Sequence, residues 1–331
     1  MRRVRLCEAW KYPVRVPDPL EAAVHIRSLT RVAVRVAAIL PLATVLTAVP
    51  PASAQDGLKI YISADMEGVV GTVTGEQLGP DGFEYQRARR WMTEEVNAAI
   101  RGARASGATE ILVSDSHGNG QNLLLDELPA DISVIRSWPR PLGMMAGIDD
   151  TFDGAIFIGY HTSTDNSTGV RAHTMSSARL TSVKLNGVPV PETGLNAAIA
   201  GHFGVPVIML SGDDAIAEEA TDLIGDLETA VVKKAYGFHS AETLMPEAAY
   251  KLIEETAARA VARISDFEPW DLGGPIELEV SFKNYRPVEA LGYLEIVERI
   301  DSHTIRYTGP DMIAVEDFLT FLLEYDSNAA P

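Results

Sequence analysis

The chain has 331 residues, of which 46% are hydrophobic and 22% charged, enough for two ordinary domains and a buried core. Its formal net charge of −18 excludes a protein that wraps phosphate backbones, so no nucleic-acid partner is expected. A single cysteine excludes a disulfide framework, an iron–sulfur cluster and any Cys-rich zinc module.

The first 54 residues read apart from the rest. Up to Arg35 they carry eight basic residues against three acidic ones, then Val36–Val49 runs without a charge, and Ala52-Ser53-Ala54 follows. Basic flank, apolar stretch and A-x-A site are the parts of a secretory signal peptide. Cleavage is expected after Ala54, giving a periplasmic or secreted protein. The apolar run is too short to span a bilayer, and Pro41 interrupts it, so no stable membrane insertion is expected after cleavage. The mature chain then holds 20 basic and 43 acidic residues, a net charge of −23, and Cys7 leaves with the signal.

From residue 55 to 214, short apolar runs alternate with helical patterns. Lys59–Ala64 is strand-like. Within Glu84–Ala105, the residues Tyr85, Ala88, Met92, Val96, Ala99 and Ala103 recur at helical spacing, with Gly107 placed to cap the end. Glu110–Ser114 and Ala155–Gly159 are continuous apolar runs, as expected of strands buried on both faces. Ser182–Val190 reads as a hairpin turning at Asn186-Gly187. Glu192–Phe203 reads as a helix and Val205–Leu210 as another buried strand.

The pattern then changes. Pro246–Ile264 reads as an amphipathic helix and Phe267–Pro275 as a linker. Ile276–Phe282 and Thr304–Thr308 alternate like half-exposed strands, and Asp311 caps a closing helix, Met312–Tyr325. The expected fold is α/β, a mainly parallel sheet flanked by helices, with a smaller C-terminal α+β domain. The catalytic, metal-binding domain is expected over 55–235. The smaller one, over 236–331, is assigned to oligomerisation and channel lining.

Five places set acids or imidazoles beside these elements. Asp65 and Glu67 follow the first strand, and residues two apart on an extended chain would present both carboxylates to one side. His117 follows the second strand in Ser114-Asp115-Ser116-His117, where Asp115 would orient a histidine or cap a turn. His161 follows the third. His173 and Glu192 lie further on, the latter in the first turn of a helix, where an acid also complements the helix dipole. Singly, each has an ordinary structural explanation. Together, acids and imidazoles at consecutive strand ends have the composition of a zinc or manganese site. G-x-S-x-G, H-E-x-x-H and Walker patterns are absent from the sequence.

In order and spacing, Lys59–Gly68, Ser114–His117, Asp149–His161, His173-Thr174-Met175 and Glu192–Ala197 resemble the D-aminopeptidases of the DppA type, peptidase family M55. The resemblance implies a two-zinc peptidase that removes N-terminal D-amino acids, D-alanine above all, from short peptides. It implies that Asp65 bridges both metals, that Glu67 and His161 bind one zinc, and that His117 and Glu192 bind the other. His173 matches the position assigned as nucleophile in that family. A ring-like homo-oligomer with sites facing an enclosed channel is implied as well. The export signal departs from the family pattern and would set the enzyme beside peptidoglycan peptides.

General chemistry favours attack by water activated at the metal pair, with His173 carrying a proton to the leaving amine. Direct attack by His173 would instead need an acyl-imidazole. Asp213 and Asp214 are candidates for holding the substrate ammonium. Two rivals use the same ligands. A phosphoesterase would add Arg or Lys for phosphate charge, and the ligand loops offer only Arg171. A non-catalytic metal-binding protein would have no need of His173.

Overall fold

The computed structural model describes residues 57–325, and the expected signal peptide and its cleavage point lie outside the described residues. The chain runs through β1 (Leu58–Ala64), α1 (Tyr85–Ala105), β2 (Ala108–Asp115), β3 (Ser133–Ile135), β4 (Gly154–Ile158), β5 (Leu180–Leu185) and β6 (Val188–Pro189). It continues through α2 (Glu192–His202), β7 (Val207–Asp213), α3 (Asp214–Ile224), β8 (Glu228–Gly237), β9 (Ser240–Thr243) and α4 (Pro246–Ala262). It ends with β10 (Ile276–Phe282), α5 (Tyr285–Leu291), β11 (Val297–Arg299), β12 (Thr304–Gly309) and α6 (Met312–Glu324).

Seven strands form the main sheet in the order β3-β2-β1-β4-β7-β8-β9. All pairs are parallel except the edge pair β8–β9. Continuous apolar runs are required because both faces are covered. Along β1, Ile60 and Ile62 pack into the core beneath α1 and α4, while Tyr61 enters the core on the opposite side. The six residues at helical spacing in α1 are all buried in the first of these cores. Gly102 lets α1 approach α4 closely, since a Cβ there would lie 2.2 Å from the Glu254 carbonyl oxygen.

A second, antiparallel sheet of five strands, ordered β11-β12-β10-β5-β6, forms the smaller layer with α5 and α6. Its inward residues Val183, Leu278, Val280 and Ile305 join Val315 and Leu319 of α6 in the core that also receives α2. The expected division at residue 235 falls inside β8, and β9 and α4 belong to the main layer beyond it. Conversely, the 182–190 hairpin pairs through β5 with β10 in the second sheet. Each layer is completed by pairing with strands distant in sequence, which a change of local composition does not register. No helix among the described residues is long and apolar enough to cross a membrane.

Candidate metal centre

From β1 the chain winds outward through β2 and β3 on one side and through β4, β7 and β8 on the other. Such a switch point opens a crevice at the carboxyl ends of the strands. Asp65 leaves β1 with its N–H on the Ile158 carbonyl at 2.8 Å, and Ser116 donates to the Ala64 carbonyl at 2.8 Å. The segments carrying Asp65, His117 and His161 therefore emerge level. The strand stops at Ala64, so Asp65–Gly68 is a turn rather than extended chain. Both carboxylates still line one cavity, and Met66 is buried in the core behind them. Gly68 is required there, because a Cβ would lie 2.0 Å from the Tyr160 carbonyl oxygen.

His117 Nδ1 lies 3.1 Å from Asp65 Oδ1 and 2.9 Å from Glu67 Oε2. His161 Nε2 lies 3.3 Å from Asp65 Oδ2 and 3.5 Å from Glu192 Oε2. His173 Nε2 lies 3.8 Å from Glu192 Oε1, its ring stacked on that of His161 at 4.2 Å. The other nitrogen of each ring meets a backbone carbonyl: His117 Nε2 on Leu78 (2.8 Å), His161 Nδ1 on Thr162 (3.0 Å) and His173 Nδ1 on Arg171 (2.8 Å). A carbonyl only accepts, so those nitrogens carry the hydrogen. In the neutral ring the nitrogen turned to the carboxylates is then a lone pair, the tautomer that binds metal.

Lone pairs and carboxylates face to face repel unless protons or cations lie between them. With protons alone, burial disfavours the charge on His117, but Glu67 and Asp65 outweigh it and hold its pKa well above the usual value. Glu192 and Asp65 do the same for His161 against the same burial. Burial likewise opposes charge on Glu67 and Glu192, yet the facing histidines keep both pKa values low. Asp65 goes the other way, raised by burial and then by Glu67. Asp65 Oδ2, Glu67 Oε2 and His161 Nε2 are buried without a hydrogen-bond partner. These orphaned atoms converge, as cation ligands should, and the donor set of carboxylates and imidazoles suits zinc.

Donor atoms within 4.8 Å of one another form the groups Asp65/Glu67/His117, Asp65/His161/Glu192 and Glu67/His161/His173. All six expected site residues thus come together. The two groups containing Asp65 pair Glu67 with His117 and Glu192 with His161, the reverse of the partition implied by the resemblance, while the third keeps Glu67 beside His161. Asp65 is common to the first two of these groups, and the resemblance likewise assigns it to both metals.

Other expectations resolve differently. The Asp115 carboxylate accepts from Asn122 N–H and Leu123 N–H, so it caps the turn after His117 and orients no ring. Asp213 caps α3 through Ile216 N–H and takes Val170 N–H, and Asp214 takes Ala235 N–H. Neither lines the cavity, so neither is placed to hold a substrate ammonium. Sequence reading passed over Lys233, a buried lysine whose ammonium donates to the carbonyls of Glu67, Val69 and Thr72 and so ties down the ligand turn. It also passed over Trp138, Arg140 and Glu316, which line the same cavity of about 240 Å³. The positions of 233 in a strand and 316 on a helix face gave the only signal available, a charged residue where the pattern calls for burial.

A parallel α/β sheet with carboxylates and imidazoles gathered at its switch point has the layout of a metal-dependent hydrolase. The family model of peptidase M55, described as D-aminopeptidase, matches residues 58–321, and the chain belongs to that family, an enzyme of the peptidase class. The D-aminopeptidase of Bacillus subtilis (strain 168) is 34% identical over 268 residues, covering 81% of this chain and 97% of that protein. A solved structure, described as the Zn-dependent D-aminopeptidase DppA from Bacillus subtilis, a self-compartmentalizing protease, matches with a TM-score of 0.78. It is 33% identical in sequence, and the match covers 83% of this chain and 100% of that one.

Proposed function

We propose that the protein is an exported zinc-dependent aminopeptidase that removes N-terminal D-amino acids, D-alanine above all, from short peptides with the help of two metal ions. The observation that carries this is the set of imidazoles anchored on backbone carbonyls, each turning its other nitrogen to carboxylates of which Asp65 is shared. Asp65, Glu67, His117, His161 and Glu192 would hold the metals. When bound, zinc supplies Lewis acidity toward the scissile carbonyl and toward water.

The chain's own residues do the rest. Leu78 and Thr162 carbonyls fix the ligand tautomers. Met175 N–H holds Glu192 Oε1 at 2.7 Å. His173, with its Nδ1–H on Arg171, offers Nε2 to take a proton and pass it to the departing amine. A self-compartmentalizing relative supports a homo-oligomer, ring-like, with sites on an enclosed space.

Purified protein should contain about two zinc ions per chain, hydrolyse D-Ala-D-Ala in preference to L-Ala-L-Ala, and lose both metal and activity to chelator. Replacing Asp65 with Ala should remove both ions, since it serves both. Full zinc occupancy in Asp65→Ala, or hydrolysis of p-nitrophenyl phosphate but of no peptide, would overturn the reading.

A further inference from the structure

An aminopeptidase recognises a free α-amine, and Asp213 and Asp214 are committed to backbone amides away from the cavity. Glu316, on the buried face of α6, lines the same cavity as Asp65, Glu67, His117 and Glu192, and is only 3% exposed. Its one side-chain hydrogen bond comes from the Thr320 hydroxyl to Oε1 at 3.2 Å. No lysine, arginine or histidine among the described residues lies within ion-pair distance of it, although arginines elsewhere pair freely. Burying a carboxylate without a cation is costly, and a cation delivered by a ligand would offset that cost.

The surroundings preserve room for it. Gly143 has φ +48, and a Cβ there would lie 2.3 Å from Glu316 Oε1. Arg140, the nearest cation in sequence to that turn, lines the same cavity but makes no ion pair with Glu316. Its Nε donates to the Gly143 carbonyl, its Nη2 to Ser114, and its guanidinium stacks on Trp138 at 3.8 Å.

We infer that Glu316 is the specificity residue that receives the α-ammonium of the peptide substrate, so that the second layer supplies one wall of the active site. This rests on the function proposed above and names the part of the site that makes it an aminopeptidase. A charged hydrogen bond to a buried carboxylate is expected to favour a free amine over its acetylated form by about tenfold or more.

The test is calorimetric binding of D-alaninamide and N-acetyl-D-alaninamide to the zinc-loaded protein, beside zinc content and melting temperature. The native protein should prefer the free amine by about tenfold or more, and Glu316→Gln should reduce that preference to within about threefold, with zinc content unchanged. An undiminished preference in Glu316→Gln, or one lost only together with zinc, overturns the inference. Should that variant not fold, Glu316→Asp decides, since withdrawing the carboxylate by one methylene should weaken the preference at least about threefold and an unchanged preference refutes the assignment. Failure of the native protein to cleave D-peptides would count against the proposed function, and leaves this binding comparison to be read separately.

Discussion

His173 sits on a strained segment. Arg171 and Met175, on either side of it, have φ of +55° and +62°, a region unfavourable for both residue types. The strain is held by Met175 N–H on Glu192 and by His173 N–H on the Thr162 carbonyl at 3.0 Å. The segment thereby delivers a ring stacked on His161, with Nε2 turned toward Glu192. Replacing His173 with Ala should leave about two zincs per chain and lower turnover by about two to four orders of magnitude, the range for a proton-transfer group. Loss of one zinc would make it a ligand, as the third donor group allows, and undiminished turnover would remove its catalytic role. Glu316 carries a second consequence at this scale. Burial pushes its carboxyl up to about 7, with Asp317 adding to the rise and the Thr320 hydroxyl opposing it. The folded state then binds a proton that the unfolded state releases near pH 4.5. This contribution is present below that pH and is lost as pH rises through about 7, by up to roughly 3 kcal/mol. Urea unfolding should find Glu316→Gln gaining on the native protein between pH 5 and pH 8. A stability difference that stays flat with pH would contradict this.

At the scale of elements, the site depends on how closely α1 and α4 back the main sheet. Ala is the better helix former by about 1 kcal/mol, so propensity alone favours Gly102→Ala. The new Cβ would, however, meet the Glu254 carbonyl oxygen at 2.2 Å and the Ala257 Cβ at 2.9 Å. Backbone cannot yield as a side-chain tip does, and overpacking costs about 1–3 kcal/mol. With backbone as the obstacle the cost falls in the upper part of that range, about 2–3 kcal/mol, so the expected net is a loss of about 1–2 kcal/mol and a melting temperature lower by a few degrees. A melting temperature that is unchanged or higher would show that the helices can separate without cost. Lys233 works at the same scale, carrying a positive charge from β8 to the carbonyls of Glu67, Val69 and Thr72.

At the scale of the whole molecule, two layers meet at one cavity. The main sheet brings Asp65, His117 and His161, while α6 of the smaller layer brings Glu316. That arrangement makes the second layer part of the cavity wall. The basic flank, the uncharged run and the A-x-A site before Gln55 support the proposed export. Mass spectrometry of periplasmic or culture-supernatant protein should find a mature N-terminus at Gln55. Exported protein that retains Cys7 would contradict the cleavage.

The strands that lead to Asp65, His117 and His161 were legible in the sequence because burial on both faces demands unbroken apolar runs, and the residues just past such runs fall at the sheet's open edge. The helices α1 and α6 were legible because their apolar residues keep a period of 3.6. The ligand types were legible for the same reason that they are unusual, acids and imidazoles at strand ends. What tertiary structure decided is everything that depends on partners distant along the chain. It gave the 182–190 hairpin to the second sheet and β9 and α4 to the first, set Leu78 behind His117, and assigned Asp115 and Asp213 to capping backbone amides. It also brought Glu316 from near the C-terminus to the wall of a cavity begun by Asp65. Local periodicity records which face of an element is buried. Only the packing of one element on another determines what lies across from that face.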